Sequence, residues 1–464
     1  MTLAAMAATV AFAATPALAQ QTAGAGNEGT PAPSAPKPDS ATEAASKAKN
    51  TAPKIVIQHV RPADQRGVEM FEAPKDDGVA YDGFKLDWGA AFSQQFQSLS
   101  HSNTAAVKTA TDASGKPYNA NQLIDIGPGF VNAMANLYTN VQIAPGIRVA
   151  LETYLSTHHH QEAWVKDGYI QIDASPIDVK ALNELMKVVT LKVGHMEINF
   201  GDAHFRRADG GQSLYNPFVG NLLLDAYTTE IGAELYARKG PFLAMGGVTG
   251  GEIHGEVTQP AKRSPALYAK VGFDKQLTPE LRVRLTGSGF TQDRSLSNTL
   301  YHGDRAGSRY QLVMENMAAT TTANAWSGNI NPGFGSQVKA TMINPFVKYR
   351  GLEVFGTIEN AKGKGATETA TRSWKQYDAD VVYRFLPSEK AFVGGRWNTA
   401  KGQLAGIAND VTVDHLAASA GWFVTPNLLL KGEYVTQKYK DFPTTDIRNG
   451  GKFNGFVMEG VVAF

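Results

Sequence analysis

The sequence predicts an all-β protein, a transmembrane antiparallel up-and-down β-barrel of about sixteen strands. Three observations carry that expectation. Apolar and polar residues alternate over segments of about ten residues, the pattern of a wall with one lipid face and one aqueous face. Connections between these segments alternate between tight turns and longer Gly-, Asn- and Asp-rich loops. The chain also closes on an aromatic strand: Phe456, Met458, Gly460, Val462 and Phe464 share one face, while Gly455, Val457, Glu459, Val461 and Ala463 take the other. An open edge in hydrocarbon would leave backbone groups unpaired, so such a closing strand needs a first strand to join.

Composition points the same way. The 464 residues include 46 Gly, 22 Phe, 16 Tyr and 6 Trp, with 19% charged residues, and the mean hydropathy of −0.24 is too polar for a helical membrane protein. Beyond the N-terminus no run approaches the ~20 apolar residues that a membrane helix requires, so a membrane is crossed by strands. The length would suggest several soluble domains, but barrels extend as one domain. The chain has no cysteine, which removes disulfides and thiolate zinc sites and suits passage through an oxidising compartment. A formal charge of +1 gives no argument for nucleic acid.

Residues 1–19 read as a secretory signal, with an apolar stretch from Leu3 to Ala14 and a small-residue site, Ala17-Leu18-Ala19, before Gln20; a basic leading region is missing. Residues 20–53 are rich in Ala, Pro, Ser, Thr and Lys and are expected to form a disordered tether. Residues 54–83 carry Ile55-Val56-Ile57, Arg61-Pro62, Asp64, Arg66-Gly67 and Met70-Phe71. They form either an ordinary lead-in to the first strand, the reading the sequence favours, or a segment under or inside the barrel.

The barrel itself is expected over 84–464. Leu86, Trp88, Ala90 and Phe92 alternate with Asp87, Gly89, Ala91 and Ser93 in a first strand, 84–98. Val131 to Ile143 and Ile147 to Leu151 form a hairpin about Pro145-Gly146, the clearest in the chain. Strands follow near 163–173, 188–199, 226–238, 242–254, 265–275, 280–292, 338–350, 352–361, 373–385, 390–400, 411–424, 428–440 and 453–464. The stretch Arg309 to Ala318 is a candidate for one more. Tight turns fall at nearly every second junction, and one longer connection on that side holds a short helix near Asp178 to Met186. Short turns on one side and long loops on the other place both termini in the periplasm. Trp374, Tyr377, Tyr383, Trp397 and Trp422 lie near strand ends, where aromatic girdles meet the membrane interfaces.

The terminal aromatic strand is typical of bacterial outer-membrane barrels, in which it is read by the assembly machinery. Thr190-Leu191-Lys192-Val193-Gly194-His195 leading to Phe200-Gly201, then Gly421-Trp422-Phe423-Val424-Thr425-Pro426-Asn427 running into Leu430-Lys431-Gly432-Glu433-Tyr434-Val435, make the chain resemble the phosphate-selective porin O and P family and related sixteen-stranded porins. The resemblance covers the barrel from about residue 84 onward. It implies a homotrimeric general or anion-preferring channel with an inward-folded third loop and lumen Arg or Lys residues. The chain departs from the anion-selective members in lacking a dense ladder of lumen cations.

Strand phase places Arg148, Glu152, Glu234, Lys270, Arg282, Arg284, Arg384 and Arg396 toward the lumen. Mixed charge of this kind orients small hydrated solutes and admits ions of either sign; mutual neutralisation between neighbouring strands is the alternative. In the third long loop, 201–225, Arg206, Arg207 and Asp209 would face the constriction if the loop folds inward. The segment 293–337 is the other candidate to occlude the lumen. His158-His159-His160 sits at an expected loop tip without the carboxylate or cysteine pattern of a metal site, and Gly247-Val248-Thr249-Gly250-Gly251 lacks the Lys of a phosphate loop. The expected protein is a non-enzymatic outer-membrane porin passing small hydrophilic solutes or ions without a cofactor. Its expected partners are outer-membrane lipid, lipopolysaccharide and the barrel assembly machinery, with no nucleic acid. A substrate-specific channel for phosphate or short saccharides, and a loop-closed structural or adhesive barrel, are the alternatives.

Overall fold

A computed structural model of the chain describes residues 55–112, 114–131, 133–155, 163–208, 212–301, 309–320 and 324–464. The expected signal and tether, Asp209 and the His158-His159-His160 run lie outside them.

Sixteen strands form one closed antiparallel wall: β1 (Lys85–Ser102), β2 (Met134–Ala144), β3 (Ile147–Leu155), β4 (Ala163–Ile172), β5 (Val189–Glu197), β6 (Thr229–Lys239), β7 (Phe242–Thr249), β8 (Ala266–Gln276), β9 (Leu281–Gln292), β10 (Gln337–Tyr349), β11 (Leu352–Lys364), β12 (Arg372–Phe385), β13 (Ala391–Gly402), β14 (Val411–Thr425), β15 (Leu428–Lys440) and β16 (Lys452–Ala463). Each pairs with its sequence neighbour, and β1 closes the ring. Its first half pairs with β2, from Lys85↔Gln142 to Ser93↔Met134, and its second half with β16, from Ala91↔Ala463 to Ser102↔Lys452. No edge is left exposed in this wall, as hydrocarbon demands. A strand of about 12 residues tilted by about 40° rises roughly 30 Å, the thickness of a bilayer core.

The alternation that builds these strands is plain in β12. Trp374, Gln376, Asp378, Asp380, Val382 and Arg384 are buried toward the lumen, whereas Tyr377, Val381, Tyr383 and Phe385 are exposed on the outside. In β16, Phe456 and Met458 are exposed, as is Phe464 just beyond it, and Val457, Glu459 and Val461 are buried, the division expected from the sequence. Trp88, Trp397, Trp422, Tyr349 and Leu352 add to the apolar exterior.

Connections separate by end. Tight turns at 145–146, 240–241, 350–351 and 426–427 share one end with the start of β1 and the end of β16, and α1 (Lys180–Met186) lies in the β4–β5 connection at that end. The other end carries the long connections 198–228, 293–336 and 441–451. Of the stretch Arg309 to Ala318, only Tyr310–Gln311 is extended; it pairs with Trp326–Ser327 in a two-stranded ribbon outside the wall.

Candidate functional site

Among the described residues three segments enter the lumen: 55–84, the third loop (198–208 and 212–228) and the insert between β9 and β10 (293–301, 309–320 and 324–336). The third loop turns inward at Gly201, whose φ of +71° and position against the Met342 sulfur admit no larger side chain. Asp202 then anchors it, accepting hydrogen bonds from Arg284 Nε (2.8 Å), Arg284 Nη2 (2.8 Å), Thr286 Oγ1 (2.8 Å) and Lys270 Nζ (3.0 Å). Burial opposes ionisation of Asp202, but Lys270 and Arg284 outweigh it and hold its pKa well below the usual carboxylate range.

Farther along, the loop lies against β12–β16 with its backbone polar groups satisfied by wall side chains. Val219 N donates to Glu433 (2.8 Å), Leu223 N to Asn398 (2.8 Å) and Leu224 N to Gln376 (2.7 Å). Lys431 donates to the carbonyls of Ser213, Asn216 and Phe218 at 2.7–2.9 Å. Leu214 and Phe218 pack with Phe392, Phe423, Leu429 and Val461. The insert 293–336 covers the loop from above, where Leu300, Tyr301, Tyr310, Val313, Ile330 and Phe334 join Phe200, Val219, Leu223 and Leu224 in one apolar cluster with wall residues. Tyr301 and Tyr310 hydroxyls donate to Glu359 and Glu433, each at 2.6 Å.

Most of the charged residues expected at the lumen, Asp209 aside, make ion pairs or hydrogen bonds with other side chains. Arg206 meets Glu353 (2.5 Å) and Arg207 meets Asp225 (2.7 Å), both buried. A cavity of about 20 Å³, room for a single water, lies between these arginines, Asn221, Phe355 and Arg396. Arg282 pairs with Asp274 (2.7 Å), Arg284 with Asp202 and Glu72 (both 2.8 Å), Arg384 with Glu69 (2.8 Å) and Glu353 (3.1 Å), and Arg396 with Asp380 (2.7 Å). Arg148 donates to Asn140 (2.7 Å), Gln171 (2.9 Å) and the His59 carbonyl (3.3 Å). Glu234 accepts from Asn199 N (2.9 Å), Tyr236 (2.6 Å) and Tyr268 (3.0 Å).

Exposure varies around the lumen. Inward side chains of β8–β16 are mostly buried, Lys270, Glu353, Gln376, Asn398 and Glu459 among them, while Asp274, Arg282 and Lys348, near the end with the short turns, keep 27%, 25% and 20% side-chain exposure. On β3–β5, Arg148, Lys166, Gln171 and Thr190 are buried, but Lys192 is 16% exposed, Glu152 12% and Glu197 25%, joined by the half-buried Asp167, Tyr169 and Gln212. This strip is crossed by polar contacts. Glu152 accepts from Asn136 (2.6 Å), Gln212 (3.0 Å) and Lys166 (3.1 Å), while Lys192 lies 4.5 Å over the Tyr169 ring and 3.4 Å from Glu234. Arg206 and Arg207 therefore belong to the mostly buried side, and Glu152 to the partly open strip.

Lys166, Asp167, Tyr169 and Lys192 were not among the residues expected here. A β-bulge explains part of the omission: Glu152 pairs with Asp167 but Thr153 with Val165, so one residue is extra in β4 and strict alternation fails across it. A phase break between Val165 and Tyr169 is the signal the sequence offers. Among the described residues no group of three or more His, Asp or Glu side chains is arranged to hold a metal.

No protein-family model matches the chain, and no curated protein matches it. Solved structures similar to it include an OmpT, an outer-membrane protein of Vibrio cholerae (10% identity, TM-score 0.48, covering 83% of this chain and 99% of that one). An anion-selective porin from Comamonas acidovorans is similar at 11% identity (TM-score 0.47, 82% and 100%), and the outer-membrane channel DcaP of Acinetobacter baumannii at 10% (TM-score 0.47, 83% and 99%). At such identities no residue role passes from those proteins to this chain.

Proposed function

We propose that the protein is an outer-membrane porin through which small hydrophilic solutes diffuse passively. The observation that carries this reading is the division of the wall: an apolar exterior suited to lipid, and an interior that keeps a partly open polar strip on β3–β5. A strip bearing Glu152, Asp167, Lys192 and Glu197 offers water and polar solutes hydrogen bonds that an apolar lumen would not. Both termini lie on the periplasmic side in this reading, because assembly leaves short turns there. Lipopolysaccharide then surrounds the outer rim, Phe464 supplies the assembly signal, and a homotrimer is the expected assembly.

The lumen arginines argue against phosphate selection. Arg206, Arg207, Arg282, Arg284, Arg384 and Arg396 are each matched by a carboxylate, so they supply little net field for an anion. The strip also carries no arrangement that calls for catalysis, and the reading is of a non-enzymatic channel. Planar-bilayer recordings in a salt gradient test it: discrete conductance steps with a small reversal potential are expected. A second reading, a loop-closed structural barrel, is favoured by the apolar cluster that fills the outer part of the β8–β16 side; absence of current from the full chain and from variants with loosened inserts would establish it instead.

A further inference from the structure

Residues 57–79 form one loop at the periplasmic mouth, and its two ends are tied to each other. His59 N donates to Asp77 Oδ2 (2.5 Å) and the Gln58 side-chain amide donates to the Val79 carbonyl (2.5 Å). From this neck the loop touches the wall all around the mouth. Gln58 bonds Gln142 and Gly146 at the β2–β3 turn (both 3.0 Å). On the far side, Gln65 N donates to the Pro426 carbonyl (2.8 Å) and its side chain to the Ser388 carbonyl (2.7 Å), at two other turns. Glu69 pairs with Lys348 (2.7 Å) and Arg384 (2.8 Å), Glu72 with Arg284 (2.8 Å) and Lys270 (3.4 Å), and Lys75 with Asp173 (3.1 Å). The loop thus lies beneath both the mostly buried side and the polar strip.

Its attachment differs from that of the other two inserts. The third loop and 293–336 are held by a large apolar cluster. The periplasmic loop buries two large apolar side chains, Ile57 at its neck and Phe71, the latter edge-on to Phe346 at 5.3 Å and Phe205 at 5.9 Å, with Ala63 and Val68 at a margin. The rest is ion pairs, hydrogen bonds and the Arg61 guanidinium 3.7 Å over the Tyr215 ring. Desolvation offsets much of the attraction in buried ion pairs. Of the three inserts this one rests least on apolar burial, the kind of attachment from which local opening is drawn.

We propose that residues 57–79 are a removable plug that closes the periplasmic mouth when docked and opens it by swinging about its neck. The proposal rests on the channel reading above. The Lys85 side chain, which donates to the Val56 carbonyl (2.9 Å), marks the fixed end where the neck meets β1.

The absence of native cysteine makes a clean test possible. In the full chain, Gln65→Cys with Ser388→Cys would be bridged by a short bifunctional methanethiosulfonate and followed in planar bilayers before and after reduction. Bridging is expected to cut the open fraction by about tenfold or more, and reduction to restore it. In Glu69→Ala with Glu72→Ala, the open fraction should rise by about tenfold, because cations paired in the docked state lose their partners. Equal currents in bridged and reduced protein overturn the plug while leaving the channel intact. No current in any form, the loosened variant included, overturns the channel reading and the plug with it. Should the loosened variant fail to fold, the bridged-against-reduced comparison decides alone.

Discussion

The anchor of the third loop gives a sharp energetic expectation. Around Asp202 stand three cations, Lys270, Arg282 and Arg284, and three carboxylates, Glu72, Asp202 and Asp274, linked by ion pairs of 2.7–3.4 Å. The group is balanced. Asp202→Ala leaves three cations against two carboxylates, and with both Asp202 and Lys270 0% exposed at their side chains the unmatched charge cannot reach water without moving the loop. Breaking a buried pair from one side costs about 3–5 kcal/mol. Lys270→Met alone leaves a buried carboxylate unmatched and should cost a similar amount. The double variant restores balance, at two against two, and should be less destabilised than the sum of the single variants by about 2–3 kcal/mol. Equilibrium urea unfolding in detergent micelles, read by tryptophan fluorescence, measures all four corners of the cycle. Additivity within about 0.5 kcal/mol would refute the claim that this cluster fixes the loop by charge matching.

Other expectations follow from the same contacts. Deleting Phe464, whose carbonyl accepts from Ala90 N (3.0 Å) and whose ring faces Trp88 at 6.5 Å, should sharply lower the folded, heat-modifiable protein recovered from the outer membrane; a normal yield would remove its role in closure. A small water-soluble thiol reagent should label Tyr169→Cys in the folded protein but leave Gln376→Cys unlabelled, since the first faces the open strip and the second is buried; equal labelling contradicts the uneven exposure of the lumen.

The wall was legible because its rule is local. A residue two positions away decides which face a side chain takes, so β12 and β16 could be phased from sequence, and the turn at Pro145-Gly146 announced its hairpin. The contents of the lumen obey no such rule. Glu69 meets Arg384, and Lys75 meets Asp173, pairs set by closure of the ring rather than by spacing along the chain, so residues 55–83 gave only short ordered patches to read. Arg206 and Arg207 could be read as constriction residues only on the condition that their loop folds inward, and their buried partners Glu353 and Asp225 carried no signal in the sequence. Lys166 and Asp167 escaped because a bulge breaks the alternation on which strand phasing depends.

The most direct measurement of the channel itself is solute entry into liposomes reconstituted with the full chain and, alongside it, with the Glu69→Ala/Glu72→Ala variant. A water-lined passage bounded by the β3–β5 strip predicts swelling rates that fall steadily as neutral sugars grow larger, faster throughout in the loosened variant. Failure of even the smallest sugar to enter either preparation, with the barrel folded by heat modifiability, would contradict a diffusion pore.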